Sequence, residues 1–271
     1  MSAQETANRP NQSPQLVVVS GIEGSPMNNT FNNVYEDEER ARAYATLEFP
    51  GTYYLAFRDL PALIRRYNHG SRALDFGCGA GRSTRFLRSL GLEAIGADIS
   101  QAMLDQAREH DPSGEYRLVR DSVVGEFAPG SFDLILAAFT FDNIPTDEAK
   151  ADALSGLRTL LAPEGCLLLV VSSPAIYVNE WASFSTRDFP ENRNARDGDR
   201  VRIVMLDVPD RRPVEDVVCT DAHYRELFET AGLAVLEVQR PLATGKESTR
   251  WVSEMKTSPW TIYVLGWLTN L

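Results

Sequence analysis

A short glycine-rich stretch holds the residues of this 271-residue chain that are best suited to chemistry. It runs from Ala73 to Thr84 and places glycines at positions 77, 79 and 81. Glycines at alternate positions allow positive φ angles and bring backbone amides close to a ligand. The apolar residues Phe86, Leu87 and Leu90 then predict a helix, whose N-terminus favours a negatively charged group. We therefore expect a ligand with an anionic end at this turn.

The acidic residues near this turn indicate which kind of ligand binds. A dinucleotide-binding loop reads G-x-G-x-x-G, whereas here the spacing is G-x-G-x-G, and Asp75 lies two residues before the first glycine. A carboxylate at the mouth of the turn repels a pyrophosphate but suits an ammonium group. The apolar run from Leu92 to Ala97 ends in Asp98, where a second strand would offer a carboxylate to a ribose diol. An amino group and a ribose together indicate a nucleoside that carries an amino acid.

Alternating strands and helices must hold these residues in place. Apolar runs and helical stripes alternate through the middle of the chain, which predicts a parallel sheet with helices on both faces. The predicted strands lie near 72–76, 93–97, 116–120, 132–138 and 165–172, and the helices near 82–90, 100–110 and 147–161. A hairpin is predicted over 201–207 and 214–219, followed by a helix at 221–231 and strands at 233–238 and 261–268.

In these motifs the chain resembles the class I S-adenosylmethionine-dependent methyltransferases. The glycine turn and Asp98 look like the family's first two motifs, residues 132–139 look like its fourth strand, and residues 160–165 resemble the turn before its fifth. The resemblance covers roughly residues 70 to 173. It implies an α/β fold of the Rossmann-like class I type, with a mostly parallel seven-stranded sheet, helices on both faces, an N-terminal helical lid and a small β insertion.

The resemblance also implies S-adenosyl-L-methionine as the cofactor and a set of residues that bind it. Asp75 and the three glycines match the family's segment that holds the methionine part of the cofactor. Asp98 matches the residue that binds the ribose, and Ile99 and Met103 match the residues that flank the adenine. Asp121 matches the acid that meets the adenine amino group. The implied cofactor-binding residues are Tyr35, Tyr44, Asp75, Gly77, Cys78, Gly79, Gly81, Asp98, Ile99, Met103, Asp121, Ser122 and Phe139.

We divide the chain into a flexible segment, residues 1–30, and a single domain, residues 31–271. The first segment is rich in Asn, Ser, Gln and Pro. Within the domain, we expect a helical lid at 31–70, a cofactor-binding core at 71–173, a substrate-side insertion at 174–219 and the C-terminal part of the core at 220–271. The lid is inferred from its many aromatic residues, which equally suit helices that only pack on a sheet.

Residues for the acceptor and for catalysis are harder to identify. Large aromatic residues in the less regular segments suggest a pocket for a flat or hydrophobic small molecule, with Tyr53, Trp181 and Trp251 in contact with it. The alternative is that these residues anchor long loops. No catalytic residue is assigned. Asp142 and Asn143 end the fourth strand but equally suit a turn, and Tyr54 offers a phenol, whose ordinary pKa of about 10 makes it a poor base.

The composition of the chain limits the kinds of partner that it is expected to bind. The formal net charge of −11 and pI of about 4.8 argue against a nucleic-acid partner. The three cysteines form no C-x-x-C pair and the three histidines are scattered, so no metal site is indicated. The apolar runs are too short for a bilayer. We expect a cytoplasmic protein that binds a small molecule. The sequence leaves open whether the protein forms a homodimer.

The function predicted from the sequence is methyl transfer from S-adenosylmethionine to a small aromatic or hydrophobic metabolite, similar to bacterial enzymes that tailor secondary metabolites. Three alternatives remain: a non-catalytic protein that binds this cofactor, an aminopropyl-type transferase on the same fold, and a nicotinamide dehydrogenase. The glycine spacing speaks against the dehydrogenase. The sequence identifies neither the acceptor nor the atom (O, N or C) that is methylated.

Overall fold

Three short helices precede the glycine turn in the computed structural model, which describes residues 37–119 and 123–268. They are α1 (Glu38–Ala45), α2 (Gly51–Arg58) and α3 (Leu60–Tyr67). The Asp37 carboxylate accepts hydrogen bonds from the backbone N–H groups of Glu39 and Arg40 and so caps α1. Helices α2 and α3 are separated next to Pro61. Because proline lacks an N–H and fits only the first turn of a helix, the chain starts a new helix there.

The central part of the chain alternates strands and helices, and most bounds fall within a few residues of those predicted. Its elements are β1 (Arg72–Phe76), α4 (Arg82–Ser89), β2 (Glu93–Asp98), α5 (Gln101–His110), β3 (Glu115–Leu118), α6 (Val123–Glu126), β4 (Phe132–Ala138), α7 (Asp147–Leu160) and β5 (Leu161–Ser172). Strand β5 begins earlier than the predicted residue 165. Its pairing with β4 shifts register between Phe132 and Leu134, so the start of β5 bulges away from its neighbour.

The C-terminal part adds a small sheet and completes the large one. Its elements are β6 (Phe184–Ser185), β7 (Arg200–Met205), β8 (Val214–Val217), α8 (Asp221–Thr230), β9 (Leu233–Gln239) and β10 (Trp260–Trp267). Strands β7 and β8 form the predicted hairpin. Strand β6 lies in the predicted insertion, ahead of the predicted hairpin, and it joins the hairpin as the third antiparallel strand.

The large sheet has seven strands in the order β3-β2-β1-β4-β5-β10-β9. Strand β10 runs antiparallel to both its neighbours, and the other six strands are parallel to one another. The predicted mostly parallel seven-stranded sheet is therefore confirmed. The chain turns to opposite sides after β1 and β4, which are adjacent. This switch point opens a crevice at the carboxyl ends of these two strands.

The hydrophobic core lies on both faces of this sheet. Successive residues of β5 alternate between the two faces: Leu168 packs with α2, α3 and the small sheet, and Leu169 packs with α7 and α8. A strand covered on both faces is apolar throughout, as residues 166–171 of β5 are. In the described ranges, no helix is long and apolar enough to cross a bilayer.

Candidate active site

The glycine turn lies at the carboxyl end of β1 and is tied to β2. The backbone N–H groups of Gly77 and Cys78 donate to the carbonyl of Ala97, at 2.8 and 3.0 Å. Gly77, Gly79 and Gly81 have φ angles of +73°, +51° and +79°, in the left-handed region that favours glycine. The predicted turn geometry is therefore present.

The three glycines differ in what surrounds them. A Cβ on Gly77 would lie 2.1 Å from Oγ1 of Thr140, and one on Gly81 would lie 2.6 Å from the Tyr116 hydroxyl. A Cβ on Gly79 would meet only the Tyr44 ring, at 3.9 Å, and the Met103 methyl, at 4.0 Å. Packing thus requires glycine at 77 and 81, whereas the space over Gly79 suits a ligand that approaches the backbone closely.

Asp98 and Ile99 lie at the end of β2, beside the turn. One carboxylate oxygen of Asp98 accepts from the Gly79 N–H and the other from the Ser100 N–H, both at 2.8 Å. Burial raises the pKa of Asp98, although both N–H groups stabilise its charged form. The Ile99 side chain is 52% exposed. An acceptor group next to an exposed apolar side chain suits a ribose with an attached flat base.

Asp75 is buried rather than at the mouth of the turn, where the sequence analysis expected it. Its Oδ2 accepts from the hydroxyls of Ser83 and Thr84, at 2.7 and 2.6 Å. These two residues begin α4, so they draw the carboxylate inward, between β1 and the helix. Burial raises its pKa to about 6. Its Oδ1 is buried and accepts no hydrogen bond from the described residues, and so remains an unused acceptor near the turn.

Arg82 is a site residue that the sequence analysis missed. It directly follows the last glycine, which is the signal that could have identified it. The side chain is 8% exposed and donates to the Glu48 carbonyl and, at 3.4 Å, to the Tyr44 hydroxyl. Its guanidinium lies 4.9 to 5.7 Å from the ring centroids of Tyr44, Phe49, Tyr53 and Phe57. No carboxylate in the described ranges forms an ion pair with it, so this buried cation lacks an anionic partner.

Two cavities meet at the carboxyl edge of the sheet. The first, here the turn cavity, has a volume of about 360 Å³, part of it open to solvent, and is lined by residues 77–80, Arg82, Tyr44 and Phe139, among others. The second, here the insertion cavity, encloses about 440 Å³, part of it open to solvent, and is bounded by α2, the ends of β4 and β5, the small sheet and Trp260. Tyr44 and Phe139 line both. A group bound in one cavity can therefore face a molecule in the other.

Phe139 holds an unusual backbone conformation at this junction. Its φ is +66°, the only positive φ of a non-glycine residue in the described ranges. Such a conformation costs about 1–2 kcal/mol. The Phe139 N–H donates to the Val170 carbonyl at 2.8 Å, and its ring packs against Trp260 and Tyr53. These contacts hold the strained residue where the cavities meet.

The insertion cavity has an aromatic wall and an acidic end. The wall is formed by Tyr53, Phe139, Phe184 and Trp260. At the acidic end lie Asp142, Asn143 and Asp216, two of which were weak candidates from the sequence. Asp216 was missed, because the sequence shows it only as one acidic residue in a hairpin strand.

Three other predicted residues lie away from these two cavities. Tyr54 is 39% exposed and lines neither cavity, because it lies on the solvent-facing side of α2, whereas Tyr53 is buried. Trp181 is buried and its indole N–H donates to the Ile176 carbonyl, and Trp251 donates to Glu247; neither lines the turn cavity or the insertion cavity. Both tryptophans anchor loops, which was the alternative interpretation. Trp260, which was not among the predicted substrate-contacting residues, lines the insertion cavity.

The remaining predicted residues are placed as follows. Met103 is buried against Ala41, Ala45 and Ala80, so α1 covers it and it is not exposed beside Ile99. Cys78 lines the turn cavity, and burial raises the pKa of its thiol. Tyr35, Asp121 and Ser122 lie outside the described residues. In the part of the chain that the structure describes, no group of three or more His, Cys, Asp or Glu side chains is placed to hold a metal ion.

Comparisons with known proteins agree with this geometry. Residues 74–167 match a family described as a methyltransferase domain. A ubiquinone biosynthesis O-methyltransferase of Methylococcus capsulatus is 34% identical over 100 residues, which are 35% of this chain and 41% of the relative. The chain thus aligns with less than half the length of this curated relative.

Solved structures share the fold over most of the chain. A putative S-adenosylmethionine-dependent methyltransferase of Listeria monocytogenes superimposes with a TM-score of 0.58 at 17% identity, covering 79% of this chain and 97% of that one. The CcbJ methyltransferase of Streptomyces caelestis superimposes with a TM-score of 0.55 at 18% identity, covering 82% of this chain and 100% of that one. The residues matched to the family include the glycine turn, Asp98 and Phe139. Residues 74–167 therefore match a methyltransferase domain, and the chain shares the fold of solved S-adenosylmethionine-dependent methyltransferases.

Proposed function

We propose that this protein transfers the methyl group of S-adenosylmethionine to a nucleophile of a small, aromatic or hydrophobic molecule bound in the insertion cavity. The observation that carries the proposal is the junction of the two cavities at Tyr44 and Phe139. When bound, the cofactor supplies a methyl group already activated by a sulfonium. The tasks left to the chain are to align the acceptor and exclude water, and alignment can contribute about 7–11 kcal/mol.

The fit of the residues to the cofactor supports this proposal. The open space over Gly79 accommodates a ligand against the backbone, and the exposed Ile99 offers an apolar surface for the adenine. Asp98 would bind the ribose hydroxyls. Arg82 would bind the methionine carboxylate, because a buried guanidinium surrounded by aromatic rings lacks an anion in the described ranges. Asp75 would position the turn. Its unused oxygen would attract the ammonium group of the cofactor from the buried side of the turn.

The remaining segments would close the site. We propose that residues 31–70 form a lid, since Tyr44 and Tyr53 reach the cavities from its helices. Residues 174–219 would shape the acceptor pocket through Phe184, Ile203 and Asp216. The O-methyltransferase of Methylococcus capsulatus supports methyl transfer but not its acceptor, because the match spans 100 residues and this chain's own insertion shapes the cavity.

The proposal is tested first by calorimetric titration of S-adenosylhomocysteine into the wild-type protein and two variants. Asp98→Asn should weaken binding at least about tenfold, because the amide replaces one acceptor with a donor. Asp105→Asn, an exposed site on α5, serves as the matched control and should bind like wild type. A folded wild-type protein that does not bind S-adenosylhomocysteine would refute the proposal.

A further inference from the structure

The acidic end of the insertion cavity joins two separate parts of the chain. Asp142 ends a short 3-10 helix after β4, and Asp216 lies on β8 of the small sheet. Their side chains are only 5% and 9% exposed. The Ser172 N–H donates to both oxygens of Asp142, at 3.0 and 3.1 Å. The Asn143 amide and the Tyr177 hydroxyl donate to Asp216, at 2.6 and 3.2 Å. All these donors are uncharged, so they fix the carboxylates without neutralising them.

At this cavity, the buried acids outnumber the buried cations among the described residues. Lys150 of α7 is 1% exposed, and its charge lowers the pKa of Asp142, yet it forms no ion pair within 4 Å with either carboxylate. No other lysine or arginine in the described ranges pairs with them. Two buried carboxyl groups therefore share one buried cation. Burial raises the pKa of both acids, and the charge of Asp142 raises that of Asp216 further, to about 8, so ionising both acids at neutral pH is costly. A second cation would relieve this cost.

The aromatic wall provides the complementary surface. The Tyr53 ring lies 5.0 Å from Phe184 and 5.7 Å from Phe139, and Trp260 lies 4.7 Å from Phe139. Faces of such rings attract organic cations, and their area buries an apolar body. A carboxylate pair beside four aromatic rings is thus suited to a molecule with an ammonium group on an apolar framework.

We propose that the methyl acceptor is such an amine, and that Asp142 and Asp216 bind its ammonium group in the insertion cavity. This inference rests on the proposed function and names its substrate class. The ammonium would give one proton to a carboxylate of the pair, which leaves a neutral nitrogen with a free electron pair and one protonated acid. Two carboxylates whose pKa is raised by burial are stronger bases than an exposed aspartate, which favours this proton transfer.

A pair of matched probes tests the proposal by binding alone. The protein, saturated with S-adenosylhomocysteine, is titrated calorimetrically with 2-phenylethylamine and with 2-phenylethanol, which has the same framework but is uncharged. Wild type should bind the amine at least about tenfold more tightly, as expected when a charged hydrogen bond replaces a neutral one. Asp216→Asn and Asp142→Asn should each reduce this preference to about twofold or less.

Controls separate the inference from folding and from the proposed function. Glu215→Gln changes the exposed neighbour of Asp216 on β8 and should keep the full preference. The variants must retain the wild-type melting temperature and S-adenosylhomocysteine affinity. If wild type binds S-adenosylhomocysteine but prefers the alcohol, or shows no preference, or binds neither probe, the amine is refuted while the methyltransferase proposal survives. An alcohol preference would indicate a hydroxyl acceptor.

Discussion

Replacing Gly79 by alanine separates a stability effect from a ligand effect. The new Cβ would meet nothing closer than 3.9 Å, so the folded protein has room for it. The cost is the left-handed φ of +51°, about 1–2 kcal/mol for an L-residue, offset by about 0.4–1 kcal/mol from the stiffer unfolded chain. We expect the free energy of unfolding to fall by about 1 kcal/mol.

The matched control is Gly130→Ala. Gly130 has a φ of +67°, and nothing lies within 4 Å of the position its Cβ would take, so the backbone cost is similar. It lines neither cavity. Gly77→Ala is the opposite case. Its Cβ would lie 2.1 Å from Thr140 Oγ1, which adds about 1–3 kcal/mol of overpacking.

Urea unfolding and calorimetric titration with S-adenosylhomocysteine measure the two effects on the same samples. Gly79→Ala should lose at least about tenfold in affinity, or 1.4 kcal/mol, because the methyl group occupies the space from which the cofactor approaches the turn. Gly130→Ala should lose similar stability and no affinity. Wild-type affinity in Gly79→Ala, or an equal loss in Gly130→Ala, would show that the cofactor does not lie over this turn.

Two further predictions concern charged groups at the turn. Arg82→Gln should weaken S-adenosylhomocysteine binding at least about tenfold but leave the affinity for 5′-methylthioadenosine, which lacks the carboxylate, unchanged; a similar loss for both ligands would refute the assigned contact. The pKa of Asp75 is raised from 3.8 to about 6, so between these pH values the folded protein holds a proton that the unfolded chain has released. The contribution of Asp75 to the free energy of unfolding therefore falls as pH rises from 3.8 to about 6, by on the order of 3 kcal/mol. Urea unfolding at pH 4 and pH 7 should show a smaller loss of stability in Asp75→Asn and the full loss in the exposed control Asp105→Asn. An unchanged pH dependence in Asp75→Asn would show that the buried Asp75 carboxyl does not cause the loss of stability.

Local patterns were sufficient to predict the sheet and the glycine turn. Strand β1 and the end of β2 at Asp98 follow from short apolar runs, and the turn follows from glycine spacing that few other structures require. The helical period also carries a signal that the sequence analysis did not use. Tyr53 and Phe57 are four residues apart on the buried side of α2, whereas Tyr54 falls on the exposed side.

Features that depend on long-range contacts could not be predicted. Asp216 reaches the cavity only because the small sheet places β8 beside the end of β4, more than 70 residues earlier in the chain. Trp260 lines the cavity because antiparallel pairing sets it opposite Ser172. Asp75 turned inward because two hydroxyl groups from the next helix bind it. In each case a tertiary partner, rather than the residue's own sequence neighbourhood, decides the position.

The most direct test of the proposed active site is a crystal structure of the protein with S-adenosylhomocysteine. We expect the carboxylate at Arg82, the ribose hydroxyls at Asp98, the adenine over Ile99 and the sulfur at the junction formed by Tyr44 and Phe139, facing the insertion cavity. A ligand bound with its sulfur away from Phe139, or outside the turn cavity, would contradict the proposed path of the methyl group.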